Sequence, residues 1–404
     1  MNILGPPTGS LSRSLCAITL ALGINALCFG QFREQVILDG PFAYWSMDES
    51  GPGDAENKAI GIETESASFP ETDQLEFGVA GLADPNATAV RFNGFAGEDN
   101  AGFMTMENSS ITNVVGPWLE KTIELWFSAD DADTEVEQVL YEQGGSTRGM
   151  VMYVRGGQAH VGAHNSNEDA QGIASPWPSG RLADQENDLA VASTDIESNT
   201  PYHLAMVFRG DDEADADGNL EGTITGYLNG VEFGIADNIG TLYAHTDAIR
   251  VGGVAGQTHF DLDFSGQTPF GNDGGFDGNA EIPQAPYFFN GVIDDVVLYD
   301  KALAEERIKA HFDARDYVLG DFDGNGVVEL ADFAILADNF NQPGAHLNGD
   351  INFNGHVNLE DFSMFRRVFA AQGAANAAAV PEPSSRLLMQ CIGFAFPVLR
   401  RRRR

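Results

Sequence analysis

The stretch from Asp321 to Asp361 holds two copies of one twelve-residue loop. The first copy reads Asp321-Phe-Asp-Gly-Asn-Gly-Val-Val-Glu-Leu-Ala-Asp332, and the second reads Asp350-Ile-Asn-Phe-Asn-Gly-His-Val-Asn-Leu-Glu-Asp361. Both place oxygen-bearing side chains at loop positions 1, 3, 5, 9 and 12, and glycine at position 6. A hard cation such as Ca²⁺ takes about six to eight oxygen ligands, and the sharp turn at position 6 needs a residue without Cβ. The stretch therefore predicts two calcium sites.

The predicted calcium ligands occupy matching positions in the two loops, and position 7 contributes its backbone carbonyl whatever its side chain. In the first loop they are Asp321, Asp323, Asn325, Val327, Glu329 and Asp332, and in the second they are Asp350, Asn352, Asn354, His356, Asn358 and Asp361. Each loop leads into a segment with apolar residues at i, i+3 and i+7, which predicts a helix. These residues are Phe333, Leu336 and Phe340, then Phe362, Phe365 and Phe369. Because ligands and apolar positions repeat together, a metal-free polar turn is the weaker interpretation.

Both loops close with Asp at position 12, where the EF-hand pattern has Glu. Paired loops of this kind, each followed by a short helix, resemble the type I dockerin module, to which we assign residues 316–371. The resemblance implies an α-helical module that folds on binding two calcium ions and docks a cohesin-like partner. Arg366 and Arg367 match the basic pair of that family. Positions 10 and 11 lack the hydroxyl pair typical of cohesin-binding dockerins and hold Leu330-Ala331 and Leu359-Glu360.

A signal peptide is predicted at the N-terminus, over residues 1–30. Arg13 precedes an apolar run from Leu15 to Leu27, and small residues follow it where signal peptidase would cut. The run is too short for a membrane span.

The C-terminus carries a second predicted targeting segment, residues 380–404, behind an Ala-rich linker at 372–379. Val380, Pro381, Glu382 and Pro383 precede an apolar run at 387–399 and five arginines. This order resembles the PEP-CTERM sorting signal. The resemblance implies cleavage by an exosortase-type enzyme, membrane contact only during sorting, and export to the outer surface or surroundings of a bacterium with an outer membrane.

The chain is strongly acidic, with a formal net charge of −38. Removing both predicted targeting segments deletes seven of its 22 Lys and Arg but one of its 60 Asp and Glu. Such a surface repels nucleic acid and anionic lipid, which argues against either as a partner. All three cysteines, Cys16, Cys28 and Cys391, lie in the same segments, so the remaining chain is predicted to contain no disulfide.

Short apolar runs between turns rich in Gly, Asn and Asp predict a mainly β domain between the signal peptide and the loops. Alternation over Thr122–Phe127 predicts a strand with Ile123, Leu125 and Phe127 on one face. Asn229-Gly230 predicts a hairpin turn. The run Val292–Tyr299 is apolar on both faces, which predicts a buried strand. The pattern that follows over Lys301–Phe312 predicts an amphipathic helix.

These segments, in this order, resemble the LamG-like family of concanavalin A-type jelly rolls over residues 32–315. The carriers of the resemblance are Pro41–Trp45, Ala89–Gly94, Thr122–Phe127, Tyr202–Ala205, Leu228–Gly230, Ile249–Gly253 and Phe289–Asp295. The resemblance implies a two-sheet jelly roll, a fold that hosts lectins, adhesion modules and hydrolases alike.

No catalytic motif is visible in this domain. Jelly-roll glycosidases place several carboxylates along one strand, whereas here only the pairs Glu135/Glu137 and Asp261/Asp263 occur, which we interpret as solvated loops. His160 and His164 stand four apart on a predicted strand, about 13 Å from each other, which is too far for one zinc ion.

Binding candidates in the domain are Trp118 and Trp177, which lie in Pro-containing loops and suit stacking on sugar rings. Packing at the rim of the domain is the competing interpretation. The acidic stretch 211–219 is a candidate for a further calcium ion or a hydrated hairpin tip.

The sequence thus predicts an exported, calcium-binding, non-catalytic protein that binds extracellular polysaccharide or a surface protein. One alternative is a component of a polysaccharide-degrading assembly, with the β domain as a carbohydrate-binding unit or a cryptic hydrolase. Another is a structural envelope or matrix protein.

Overall fold

The computed structural model describes twelve ranges of the chain. They are 31–59, 65–84, 87–94, 101–108, 112–144, 148–165, 189–212, 221–245, 249–254, 287–315, 318–352 and 354–379. The described residues from 31 to 371 belong to one compact unit. Within the described ranges, no helix combines the length and the apolar character needed to cross a membrane. The predicted signal peptide, the sorting motif and Trp177 lie outside these ranges.

The described residues before 315, here called the β domain, contain seventeen strands and two helices. The strands are β1 Ala43–Trp45, β2 Gly53–Ala55, β3 Ala67–Phe69, β4 Leu75–Ala80, β5 Thr88–Asn93, β6 Met104–Met106, β7 Glu120–Ala129, β8 Gln138–Gly144, β9 Arg148–Arg155, β10 Gln158–Asn165, β11 Leu189–Asp195, β12 Tyr202–Arg209, β13 Gly222–Leu228, β14 Val231–Ile239, β15 Ile249–Val251, β16 Tyr287–Phe288 and β17 Asn290–Tyr299. The helices are α1 Gln31–Leu38 and α2 Glu305–Asp313.

The strands form two sheets, which confirms the prediction of a mainly β, two-sheet fold. One sheet runs β14-β13-β12-β7-β17-β5-β4, with β1 also paired to β17. The other runs β11-β10-β9-β8-β15-β6-β3-β2. The pairing is antiparallel apart from β16, which lies parallel to β8. Asn229 and Gly230, with φ of 53° and 74°, make the predicted turn between β13 and β14.

Strand β7 is buried on both faces, which positions the polar network described below. Ile123, Leu125 and Phe127 face the main core of the β domain. Trp126 belongs to a separate cluster with residues of α1 and α2, so these two helices cover the opposite face of the sheet. Helix α1 corrects the sequence analysis, which interpreted the stretch from Phe32 as mostly β and predicted no helix before Lys301. A helix of eight residues offers too few apolar repeats for its period to be recognised.

Residues 318–371, here called the loop module, contain α3 Leu330–Asp338, a 3₁₀ turn at His346–Asn348 and the first part of α4, which runs over Leu359–Ala379. Helix α4 thus continues through the predicted linker. The module core consists of Leu319, Phe322, Val328, Leu336, Ile351, Val357, Met364 and Phe365. Half of these side chains belong to the loops, at positions 2 and 8. Phe333 and Phe369, which belong to the predicted apolar side of these helices, remain 38% and 37% exposed.

Candidate metal centres

In the first loop, the carboxylate of Asp321 organises the turn. Its Oδ1 accepts hydrogen bonds from the backbone N–H groups of Gly324 at 2.9 Å and Asn325 at 3.1 Å. Its Oδ2 accepts from the N–H of Gly326 at 2.6 Å. Gly326 has a φ of 83°, the left-handed conformation that the sequence predicted for position 6. The loop therefore curls around the carboxylate at position 1.

Asp332 closes the same loop from the start of α3. Its Oδ1 accepts from the N–H groups of Phe322 at 2.7 Å and Asp323 at 3.2 Å. Its Oδ2 accepts from the N–H of Glu329 at 2.8 Å. One oxygen from each of Asp321, Asp323 and Asp332 lies within 4.8 Å of the others. The fold thus brings together three of the six predicted ligands of this loop.

The second loop repeats these hydrogen bonds nearly one for one. Asp350 Oδ2 accepts from the N–H of Gly355 at 2.8 Å, the counterpart of the Asp321 bond to Gly326. Asp361 Oδ1 accepts from the N–H groups of Ile351 at 2.9 Å and Asn352 at 3.2 Å, and its Oδ2 accepts from Asn358 at 2.7 Å. The repeat in sequence is therefore a repeat in backbone geometry.

The donor set fits calcium in both loops, although the two loops differ in charge. Both offer carboxylate, amide and carbonyl oxygens, the ligands that calcium prefers. The first loop has four acidic residues among its predicted ligands, and the second has two. Three convergent carboxylates repel one another unless a cation lies between them. Burial raises the pKa of Asp350 and Asp361 in the second loop.

The backbone of the second loop is also held by two side chains of the β domain. Gln35 of α1, which is fully buried, donates from Nε2 to the carbonyl of Ile351 at 2.8 Å. Arg307 of α2 donates to the carbonyl of Asn352 and to Gln35 Oε1, the latter at 2.9 Å. Asp39 pairs with the Arg307 guanidinium at 2.8 Å. Sequence patterns gave no sign of these contacts.

A cleft of about 560 Å³ lies beside this junction. Leu38, Asp39 and Arg307 line it from the β domain, while Asn354 and Arg367 line it from the loop module. Asn354 is a predicted calcium ligand, so the cleft adjoins the second loop directly.

A buried acid, Glu124, lies in the β domain behind the same junction. Tyr299 donates to its carboxylate at 2.8 Å, and His203 Nε2 and His311 Nδ1 approach it at 3.1 Å and 2.9 Å. His311 Nε2 in turn lies 2.8 Å from Asp39 Oδ2. The two histidines and Tyr299 together satisfy this buried carboxylate.

The other sequence candidates are dispersed. Trp118 is half-buried, with the Lys121 ammonium 4.6 Å from its ring centroid and His245 edge-on at 5.6 Å. Its role in sugar binding stays a prediction. His160 lies on β10 as expected and stacks on Tyr153 at 4.4 Å.

Lys121 is a buried base that the sequence analysis did not single out. It is 2% exposed at the core-facing side of β7, and its Nζ donates to the carbonyl of Thr112 at 2.8 Å. Burial lowers the pKa of Lys121 to about 7. The structure therefore places a lysine that titrates near neutral pH under the loop that carries Trp118.

Lys121→Met is expected to remove a pH dependence of stability above neutrality. Between pH 7 and 10.5 the unfolded chain binds one more proton at this side chain than the folded chain. The free energy of unfolding should therefore rise with pH, by about 1.4 kcal/mol per pH unit from this group. Urea unfolding at several pH values in this range measures the slope. The exposed control Lys309→Met should keep it, and an unchanged slope in Lys121→Met would contradict the assignment.

A scan against models of known protein families gives no match for this sequence. A search of curated proteins finds no relative.

Among solved structures, the chain is similar to three toxin binding domains. The binding domain of botulinum neurotoxin serotype D matches at 10% identity and a TM-score of 0.42, over 70% of this chain and 53% of that one. The serotype G binding domain matches at 8% identity and 0.42, over 68% and 51%. The binding domain of Paraclostridial Mosquitocidal Protein 1 matches at 13% identity and 0.40, over 68% and 52%. The chain spans about half the length of these domains.

Proposed function

We propose that the protein is a non-catalytic, calcium-dependent binding protein whose loop module binds two calcium ions. The convergence of Asp321, Asp323 and Asp332 carries this proposal. Calcium would neutralise these carboxylates and replace their mutual repulsion by attraction. Because positions 2 and 8 of both loops supply half of the module core, ordering the loops and packing that core are one event. This is the behaviour that the resemblance to dockerins implies.

Calorimetric titration of the protein with calcium is expected to show two binding events per chain. The first loop should bind more tightly, by about tenfold or more, because it offers more carboxylates to the ion. Asp321→Ala should remove the tighter event and Asp350→Ala the weaker one, whereas Asp338→Ala at the exposed end of α3 should change neither. A single binding event in the wild-type protein would contradict the assignment. So would two events that both persist when Asp321→Ala and Asp350→Ala are combined.

The ligand of the β domain is proposed to be an extracellular polysaccharide or a surface protein. The sequence carries no recognised motif of catalytic carboxylates on a strand, which favours binding over hydrolysis. A glycan array probed with and without a calcium chelator tests the proposal, and reducing-sugar release from β-glucans tests the alternative of a cryptic glycoside hydrolase. Sugar release that is lost on substitution of a carboxylate would favour the enzyme.

Export belongs to the same proposal. The acidic composition and the predicted end segments support a location on or outside the cell, where calcium is abundant. A cohesin-like partner for the loop module is a further candidate. Retention of a partner from the secretome on immobilised protein with calcium, and its release by chelator, would support such docking.

A further inference from the structure

We propose that the β domain is part of the second calcium site, because Gln35 and Arg307 hold the backbone of loop positions 2 and 3 in place. The inference rests on the proposed calcium function and assigns both side chains as positioning residues. It predicts that calcium bound at the second loop stabilises α1 and α2 of the β domain, whereas calcium bound at the first loop does not.

The peptide unit between Ile351 and Asn352 carries the coupling. Its carbonyl accepts from Gln35 Nε2 at 2.8 Å, and its N–H donates to Asp361 Oδ1 at 3.2 Å. Asp361 is the predicted ligand at position 12. One planar peptide group therefore links a helix of the β domain to a calcium-binding carboxylate.

Arg307 fixes the next peptide unit. It donates to the carbonyl of Asn352, whose side chain is the predicted ligand at position 3. Its guanidinium is shared with Asp39 and Gln35, so the donor geometry is set by the β domain. Within the described residues, the corresponding carbonyls of the first loop, at Phe322 and Asp323, accept no side chain from the β domain. The two loops are therefore alike in sequence and different in support.

This support is expected to offset part of the affinity that the second loop loses through its smaller number of carboxylates. A loop already held in its binding geometry loses less conformational entropy when the ion enters, so its affinity rises. The positive charge of Arg307 acts against calcium, but Asp39 lies 2.8 Å away and offsets it. Because Gln35 carries no charge, substituting it tests how the loop backbone is positioned without changing the electrostatic potential at the site.

The test is calcium titration of the full protein and of the variants Gln35→Leu and Arg307→Met. Gln35→Leu should weaken the second event about three- to tenfold, the equivalent of one hydrogen bond, and leave the first event unchanged. Gln158→Leu and Arg91→Met are matched controls, because each removes a side-chain bond on a strand of the β domain, to Asp195 and Asp130 respectively.

Hydrogen exchange of residues 31–38 gives a readout that does not depend on affinity. Calcium should slow exchange in this helix in the wild-type protein and in Asp321→Ala, but not in Asp350→Ala or Gln35→Leu. Unchanged second-site affinity in Gln35→Leu, with α1 exchange indifferent to calcium, overturns the inference. Tighter binding by Arg307→Met without any effect of Gln35→Leu also overturns it, in favour of simple charge repulsion. No calcium binding by the wild type refutes the proposed function itself.

Discussion

Replacing Glu124 with glutamine is expected to lower the free energy of unfolding by about 3–5 kcal/mol, the usual cost of breaking a buried ion pair. The carboxylate is fully buried and accepts from Tyr299, His203 and His311. Glutamine keeps the volume but presents an NH₂ group to neighbours that already donate. At least one buried donor would then lose its acceptor.

Urea unfolding followed by tryptophan fluorescence measures this effect, since Trp126 packs beside His203 at 5.2 Å between ring centroids. Glu76→Gln, at an exposed position on β4, is the control and should stay within about 0.5 kcal/mol of the wild type. A loss below about 1 kcal/mol for Glu124→Gln would mean that the network is relaxed or hydrated, contrary to the geometry described.

The same network gives the stability a defined pH window. Burial alone raises the pKa of Glu124, but the two neighbouring histidines outweigh it and the net shift is downward. Burial alone lowers the pKa of His311, but Glu124 and Asp39 outweigh it and the net shift is upward. The Glu124 contribution is present above its ordinary pKa of 4.5, and the His311 contribution is present below its ordinary pKa of 6.5. Both are therefore complete only between these values.

Local patterns predicted the parts of the fold that depend on local chemistry. The turn at Asn229 follows from positive φ, and β7 follows from alternation. The loop geometry follows from the position of Gly326 and the spacing of carboxylates. The buried loop positions were open to the same reasoning, because Phe322 and Ile351 stand at matching places in the repeat, as do Val328 and Val357.

The remaining features depend on contacts between distant parts of the chain. Gln35 and Ile351 are separated by 316 residues, and Glu124 and His311 by 187. No periodicity or motif encodes such a pair, because a polar side chain has the same local pattern whether it faces water or a buried partner. The outward-facing side of β7 and the helix over Lys301–Phe312 were visible in the sequence. Helix α1 and the packing of both helices on this face of the sheet were not. Polar contacts between distant parts of the chain can therefore be identified only in the folded structure.

Asp332→Ala is expected to release the first loop and the start of α3. The substitution removes a proposed calcium ligand and leaves the N–H groups of Phe322, Asp323 and Glu329 without their acceptor. The Phe322 bond is buried and the other two are partly buried, and a buried donor left without an acceptor costs about 1–3 kcal/mol. At saturating calcium, amide exchange over residues 318–333 should therefore accelerate on the order of 100-fold or more.

Two further variants make this result specific. Asp332→Asn keeps one acceptor oxygen and loses the charge, so its exchange should fall between those of the wild type and Asp332→Ala. Asp361→Ala should accelerate the second loop in the same way, but by a smaller factor, because Gln35 and Arg307 still hold its carbonyls. Equal acceleration of amide exchange in the two loops would show that Gln35 and Arg307 add nothing to the hydrogen bonds that Asp332 and Asp361 accept. A smaller response in the second loop would show that the two loops, although they share one sequence pattern, are stabilised by different parts of the protein.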